Sequence, residues 1–136
     1  MGIVAVTGGL VRAAAVAATV GFALVALFQV ALALGVPWGR AAWGGAHDRL
    51  PRGLRIGSGF AAVFWMLAAL VVLARAGYEA SPVPLGVARW ATWVLFAFLV
   101  VGTLMNLASR SRLERLIQTP TAATLALLTL VVALAE

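Results

Sequence analysis

Two side-chain amides, Gln29 and Asn106, lie inside stretches that are otherwise apolar. In a dry setting such a group must find a hydrogen-bond partner or carry the free-energy cost of lacking one. Ser58 stands at a similar remove from the nearest charged stretch. The three could form a polar pocket that holds a ligand. The plainer alternative is inter-helix hydrogen bonding, which contributes about 0.6 kcal/mol per bond on average. The one neighbouring acid–base pair is His47-Asp48. It could move a proton in a membrane hydrolase or transferase, but adjacent side chains seldom converge on one substrate atom. No nucleophile–base arrangement or nucleotide-binding fingerprint accompanies it, so no catalytic residue is assigned. The chain has a single histidine, no cysteine and no carboxylate cluster. No metal site and no cofactor are therefore expected. Disulfides, thiolate sites and the paired-cysteine chemistry of four-helix membrane oxidoreductases are excluded.

The surroundings of these groups are those of a membrane protein. Hydrophobic residues make up 64% of the 136 positions and charged residues only 10%, against about 25% in a soluble domain. The mean hydropathy is +1.08. The net charge of +6 comes from ten arginines set against four acids. Most of the arginines fall in short connectors between apolar segments, so the expected partner is the anionic lipid headgroup, with no role for nucleic acid.

Charge-free runs set the organisation. Ala13–Gly39 is 27 residues without charge, Ile56–Ala74 is 19, Trp90–Ser109 is 20 and Leu116–Ala135 is 20. About 20 apolar residues cross the hydrocarbon core, which predicts four spans at about 13–35, 56–74, 90–109 and 116–135. A secretory signal peptide competes for the first, because Ala31-Leu32-Ala33 looks like a cleavage site. Its apolar core exceeds the usual length of about 7–15 residues. Pro120 is expected in the first turn of the fourth helix, where its missing N–H matters least. There is no convincing internal repeat and no low-complexity tail.

The runs are too long for membrane strands and do not alternate. With no water to satisfy the backbone, α-helices remain. Short connectors make neighbours antiparallel, which predicts a single all-α domain, an up-down bundle of four transmembrane helices. Loops one (36–55) and three (110–115) share a side and carry seven arginines: Arg40, Arg49, Arg52, Arg55, Arg110, Arg112 and Arg115. The other side has Arg12, Arg75 and Arg89. The positive-inside rule then puts both loops in the cytoplasm and both termini outside a plasma membrane. Loop one, with Trp38 and Trp43 five residues apart and prolines at 37 and 51, is expected to be an ordered cap with both indoles largely buried.

The pattern Gly35-x-Pro37-Trp38-Gly39-x-x-x-Trp43-Gly44-Gly45, followed by Leu50-Pro51-x-x-Leu54-Arg55, resembles a family of small bacterial four-helix membrane proteins. Asn106, Ser109-Arg110 and Thr119-Pro120 fit its second half. The resemblance implies the fold and brings no activity, substrate or cofactor.

Three functions are compatible with these residues. The first is a non-enzymatic partner, scaffold or accessory subunit, alone or as a homo-oligomer, favoured by a closed bundle. The second is a protein that binds lipid or a small molecule at its cytoplasmic end, favoured by a cavity lined by Gln29, Asn106 and loop-one groups. The third is a membrane enzyme using loop one. The candidate binding residues are Gln29, Trp38, Trp43, His47, Arg55 and Asn106. No Asp, Glu, Lys, Arg or His falls inside the four predicted spans, which argues against ion-coupled transport of the kind small multidrug exporters perform.

Overall fold

The computed structural model describes residues 2–135, with side chains from Thr7 onward. Helix α1 runs Gly2–Ala33, α2 Arg52–Arg75, α3 Leu85–Leu107 and α4 Thr119–Ala133. A π-helical turn over Glu114–Gln118 leads into α4 without a break. Each of the four helical segments is long and apolar enough to cross a membrane, and no strand occurs among the described residues. The chain is an all-α, multi-pass bundle.

Local chemistry sets the helix ends. α1 and α2 each stop at a glycine in the left-handed region, Gly35 at φ +93° and Gly77 at φ +84°. In both, the residue after the glycine donates back to the carbonyl five positions earlier, Val36 to Ala31 and Tyr78 to Leu73. The glycine itself donates to the carbonyl three back, which completes a Schellman cap. Pro51 and Pro84 stand immediately before α2 and α3 with extended backbones.

The core is made largely of small residues. Ala14, Ala15 and Ala18 of α1 meet Ala68, Ala69 and Val72 of α2. Gly21 brings α1 close to α4, because a Cβ there would lie 2.6 Å from Leu125 Cδ2. In lipid, helix association rests on close van der Waals contact, and alanine and glycine permit it. α1 packs extensively on α2 and α3 on α4, while α2 and α3 touch much less.

Several expected boundaries shift. α1 starts well before residue 13, and Arg12 sits within it, its guanidinium 4.0 Å from the Tyr78 ring centroid. A charge whose stem lies along apolar surface need not end a helix. α3 starts at Leu85 and takes Arg89 into its first turns. The largest revision concerns the fourth span. Pro120 lies in the first turn of α4 as expected, but helical backbone already begins at Arg112, about two turns before it. Proline cannot donate to the carbonyl four residues earlier and its ring crowds it. The widened π turn just before Pro120 absorbs that conflict. Glu114, expected in a connector, is thereby carried into the membrane-length helix.

Candidate functional site

The functional candidates divide by end. At the α2–α3 connector hydrogen bonds close the end of the bundle. Arg75 Nη2 donates to the Ala133 carbonyl at 3.4 Å and to that of Ala135, tying the end of α2 to the end of α4. Ser81 Oγ donates to Leu70 O at 2.7 Å and folds loop two onto α2.

The loop-one end is different. A cavity of about 860 Å³ opens there, walled by all four helices and by loop one. Its volume falls in the range of about 300–1,000 Å³ typical of ligand sites. The floor is an aromatic cluster: Trp65 stacks on Phe22 with centroids 5.6 Å apart, and Phe64 lies 4.9 Å from Phe98, across the α2–α3 seam. Above that pair the seam is open. Phe60 on α2 and Met105 on α3 line the cavity while remaining 74% and 69% exposed, so it reaches the side of the bundle there.

The upper wall is polar. Gln29 and Asn106 both line it, as anticipated. Gln29 Oε1 is buried with no hydrogen-bond partner in the protein. Glu114 joins them and is only 9% exposed. Its Oε2 accepts a hydrogen bond from Ser109 Oγ. Gln118, one π turn further on, also lines the cavity, and its Nε2 donates to Ala41 O at 3.0 Å. A π turn has more than four residues per revolution, so positions 114 and 118 share a side. Arg110 lines the cavity from an exposed position at its edge.

Loop one roofs this space with two short 3₁₀ turns, Gly39–Ala41 and Trp43–Gly45. Ala42 and Leu50 join Leu32 of α1 in a small core of their own. Gly39 is irreplaceable on steric grounds, because a Cβ would lie 2.3 Å from the His47 carbonyl oxygen and 2.8 Å from that of Asp48. Arg40 Nε donates to Asp48 Oδ1 at 2.8 Å and Arg40 Nη1 to Gly45 O at 3.1 Å. Ser111 Oγ donates to Arg40 O, fastening loop one to loop three. Trp43 takes a left-handed φ of +51°, rare for a bulky residue. Its Nε1–H donates to Ser58 Oγ at 2.9 Å, and its ring lies over Gly57.

The cap is thus ordered, but the indoles are not buried as expected. Trp38 is 54% exposed and Trp43 44%. Each uses one face, Trp38 against Phe28 at 6.3 Å and Trp43 against α2, and turns the other outward. An indole at a membrane interface gains from staying at the boundary.

Of the six candidate binding residues, Gln29, Trp43 and Asn106 come together at the cavity, whereas Trp38, His47 and Arg55 are not among its lining residues. His47 is exposed. Its neighbour Asp48 is committed to Arg40, whose hydrogen bond and charge hold the carboxyl below its ordinary range. Among the described residues no hydrogen bond joins His47 to Asp48. Arg55 Nε donates to Ala33 O at 2.9 Å and caps α1. With Arg52 it flanks a separate, shallower groove beside Gly59.

Glu114 is the residue that the charge-free runs missed, yet a signal was present. Ser111-x-x-Glu114 is half of a capping box, and the Glu114 amide does donate to Ser111 Oγ at 3.2 Å. That signal starts the helix at 112 and places the acid inside it. Comparisons with protein-family models, with curated proteins and with solved structures find no match for this chain.

Proposed function

We propose that this protein binds a lipid-like amphiphile in the cavity at the loop-one end. The observation that carries the reading is the composition of that one space. An aromatic and aliphatic lower part is continuous with a polar upper part holding Gln29, Asn106 and Glu114. An amphiphile has the matching division, with its tail in the slot between α2 and α3 and its head among the polar groups. The opening beside Phe60 and Met105 supplies a route from the bilayer. A partner, scaffold or accessory-subunit role is favoured by a closed bundle, whereas this space favours binding.

The loop-one end is proposed to face the cytoplasm of a plasma membrane. The seven arginines of loops one and three support this through the positive-inside rule. They would also draw anionic headgroups, at about 1 kcal/mol per arginine near the surface, screened by salt. Arg52 and Arg55 beside their groove are the best placed.

The test is native mass spectrometry of the protein released from mild detergent. Gly102 lines the cavity and a Cβ there meets nothing within 4 Å, so Gly102→Trp is the variant chosen to obstruct it. Wild type should retain a co-purifying amphiphile that Gly102→Trp loses. Identical adducts on both proteins would end the proposal. Orientation is tested separately with cysteines at Ala46 and Ala80 in this cysteine-free chain. An impermeant reagent should label only Ala80→Cys in intact cells, and labelling of Ala46→Cys would reverse the orientation.

A further inference from the structure

Resting on that reading of the cavity, we infer that the ligand's head is a cation, an amine or ammonium group seated against Glu114. The charges lining the cavity are arranged asymmetrically. The buried one is the Glu114 carboxylate, and the positive one, Arg110, is exposed at the edge. Among the described residues the only ion pair within 4 Å is Arg40–Asp48, so no guanidinium neutralises Glu114. Arg115, its neighbour in sequence, is turned to the Ser109 carbonyl at 2.7 Å.

One hydroxyl, Ser109 Oγ, serves the carboxylate. An ionised carboxylate offers about four acceptor sites, so capacity remains for a ligand donor. A buried charge without a counter-ion is expensive, and inside membrane-length helices such residues mark binding and transport sites. A second acceptor points the same way, since Gln29 Oε1 is buried in the same wall without a donor. Two under-served acceptors call for a group that brings protons and positive charge. Below them Phe64, Trp65 and Phe98 line an aromatic floor that suits an apolar tail.

The experiment uses the full chain in maltoside micelles and three probes with one tail: dodecylamine, dodecanol and dodecyl phosphate. Binding is measured by calorimetry. Wild type should bind dodecylamine about tenfold more tightly than the other two, the size expected of a charge-assisted hydrogen bond. Glu114→Gln keeps the volume and an acceptor for Ser109 Oγ. It should abolish the preference, with dodecylamine binding falling to the level of dodecanol. Asn106→Asp adds a second acid to the wall at a side chain with no hydrogen bond to lose, and should widen the preference, which keeps the inference testable if Glu114→Gln misfolds. Equal binding of the three probes to wild type, or a preference for dodecyl phosphate, would overturn the cationic head; if Gly102→Trp abolished that binding, the cavity reading would survive. Binding of every probe that persists in Gly102→Trp would overturn both.

Discussion

The two ends of this bundle solve the same packing problem in opposite ways. At the closed end small residues let the helices touch, and Arg75 clasps the ends of α2 and α4 through backbone carbonyls. At the loop-one end the helices part around about 860 Å³, and the roof is a connector folded on its own small core. At the closed end Arg75 Nη2 and Ser81 Oγ fasten the chain through backbone carbonyls. At the other end several polar groups face a space. If the cavity binds as proposed, stability and binding fall to different halves of one short chain, and substitutions in each half should separate the two properties.

The largest effect is expected where the halves meet. Phe22 is fully buried and stacks on Trp65. Phe22→Ala should lower unfolding stability by about 3–5 kcal/mol, read by thermal or denaturant unfolding in detergent. A loss below about 1 kcal/mol would mean that the core is not close-packed there. Gly39→Ala comes next. Its Cβ meets two backbone carbonyls, so loop one should open. Amides across 39–48 should exchange hydrogen faster while the helices remain protected, and unchanged exchange would contradict the roof described here.

Trp43→Phe removes the donor to Ser58, whose hydroxyl is buried. A cost of about 1–2 kcal/mol is expected from the unsatisfied oxygen, and Ser58→Ala added to it should recover part of the loss. Gln29→Leu should do the reverse of a core mutation. The amide oxygen has no partner, so an apolar replacement should leave stability unchanged or slightly raised while weakening the amphiphile. A loss as large as that of Phe22→Ala would show that Gln29 belongs to the packing.

The smallest effect is that of pH on the cap. Arg40 holds the Asp48 carboxyl below its ordinary range. A folded-state value beneath the unfolded one stabilises above the unfolded value, near pH 4, and is lost as pH falls through the folded value. Loop-one protection, taken relative to the intrinsic exchange rate at each pH, should therefore be flat from neutrality to about pH 5 and fall below it. Asp48→Asn should remove that acid-dependent step, and an identical acid response in both would assign it elsewhere.

Much of this was legible in the sequence. Charge-free runs of membrane length give the four helices because lipid forbids an unsatisfied backbone. Gln29 and Asn106 stand out because an amide in an apolar run needs a reason. Glu114 was hidden because a charge beside arginines reads as connector, and the capping signal at Ser111 was needed to place it in the helix. The wall of Phe60, Phe64 and Phe98 was illegible for another reason. A helix in lipid is apolar on the face toward its neighbours and on the face toward the tails, so periodicity does not tell the two apart. The indoles of Trp38 and Trp43 were misjudged on the same ground, since exposure at a membrane boundary is no penalty for them.

If the proposed site fills sideways past the exposed Phe60 and Met105, that route fixes how occupancy should be counted. A site that fills sideways draws on what is dissolved in the bilayer, so the governing variable is the ligand's mole fraction among the lipids. Diluting vesicles in buffer would then leave occupancy unchanged for a ligand that stays in the membrane, whereas adding empty lipid would drain the site. A poorly water-soluble compound could saturate this protein at a vanishing aqueous concentration, and a titration plotted against that concentration would report its partitioning together with its affinity.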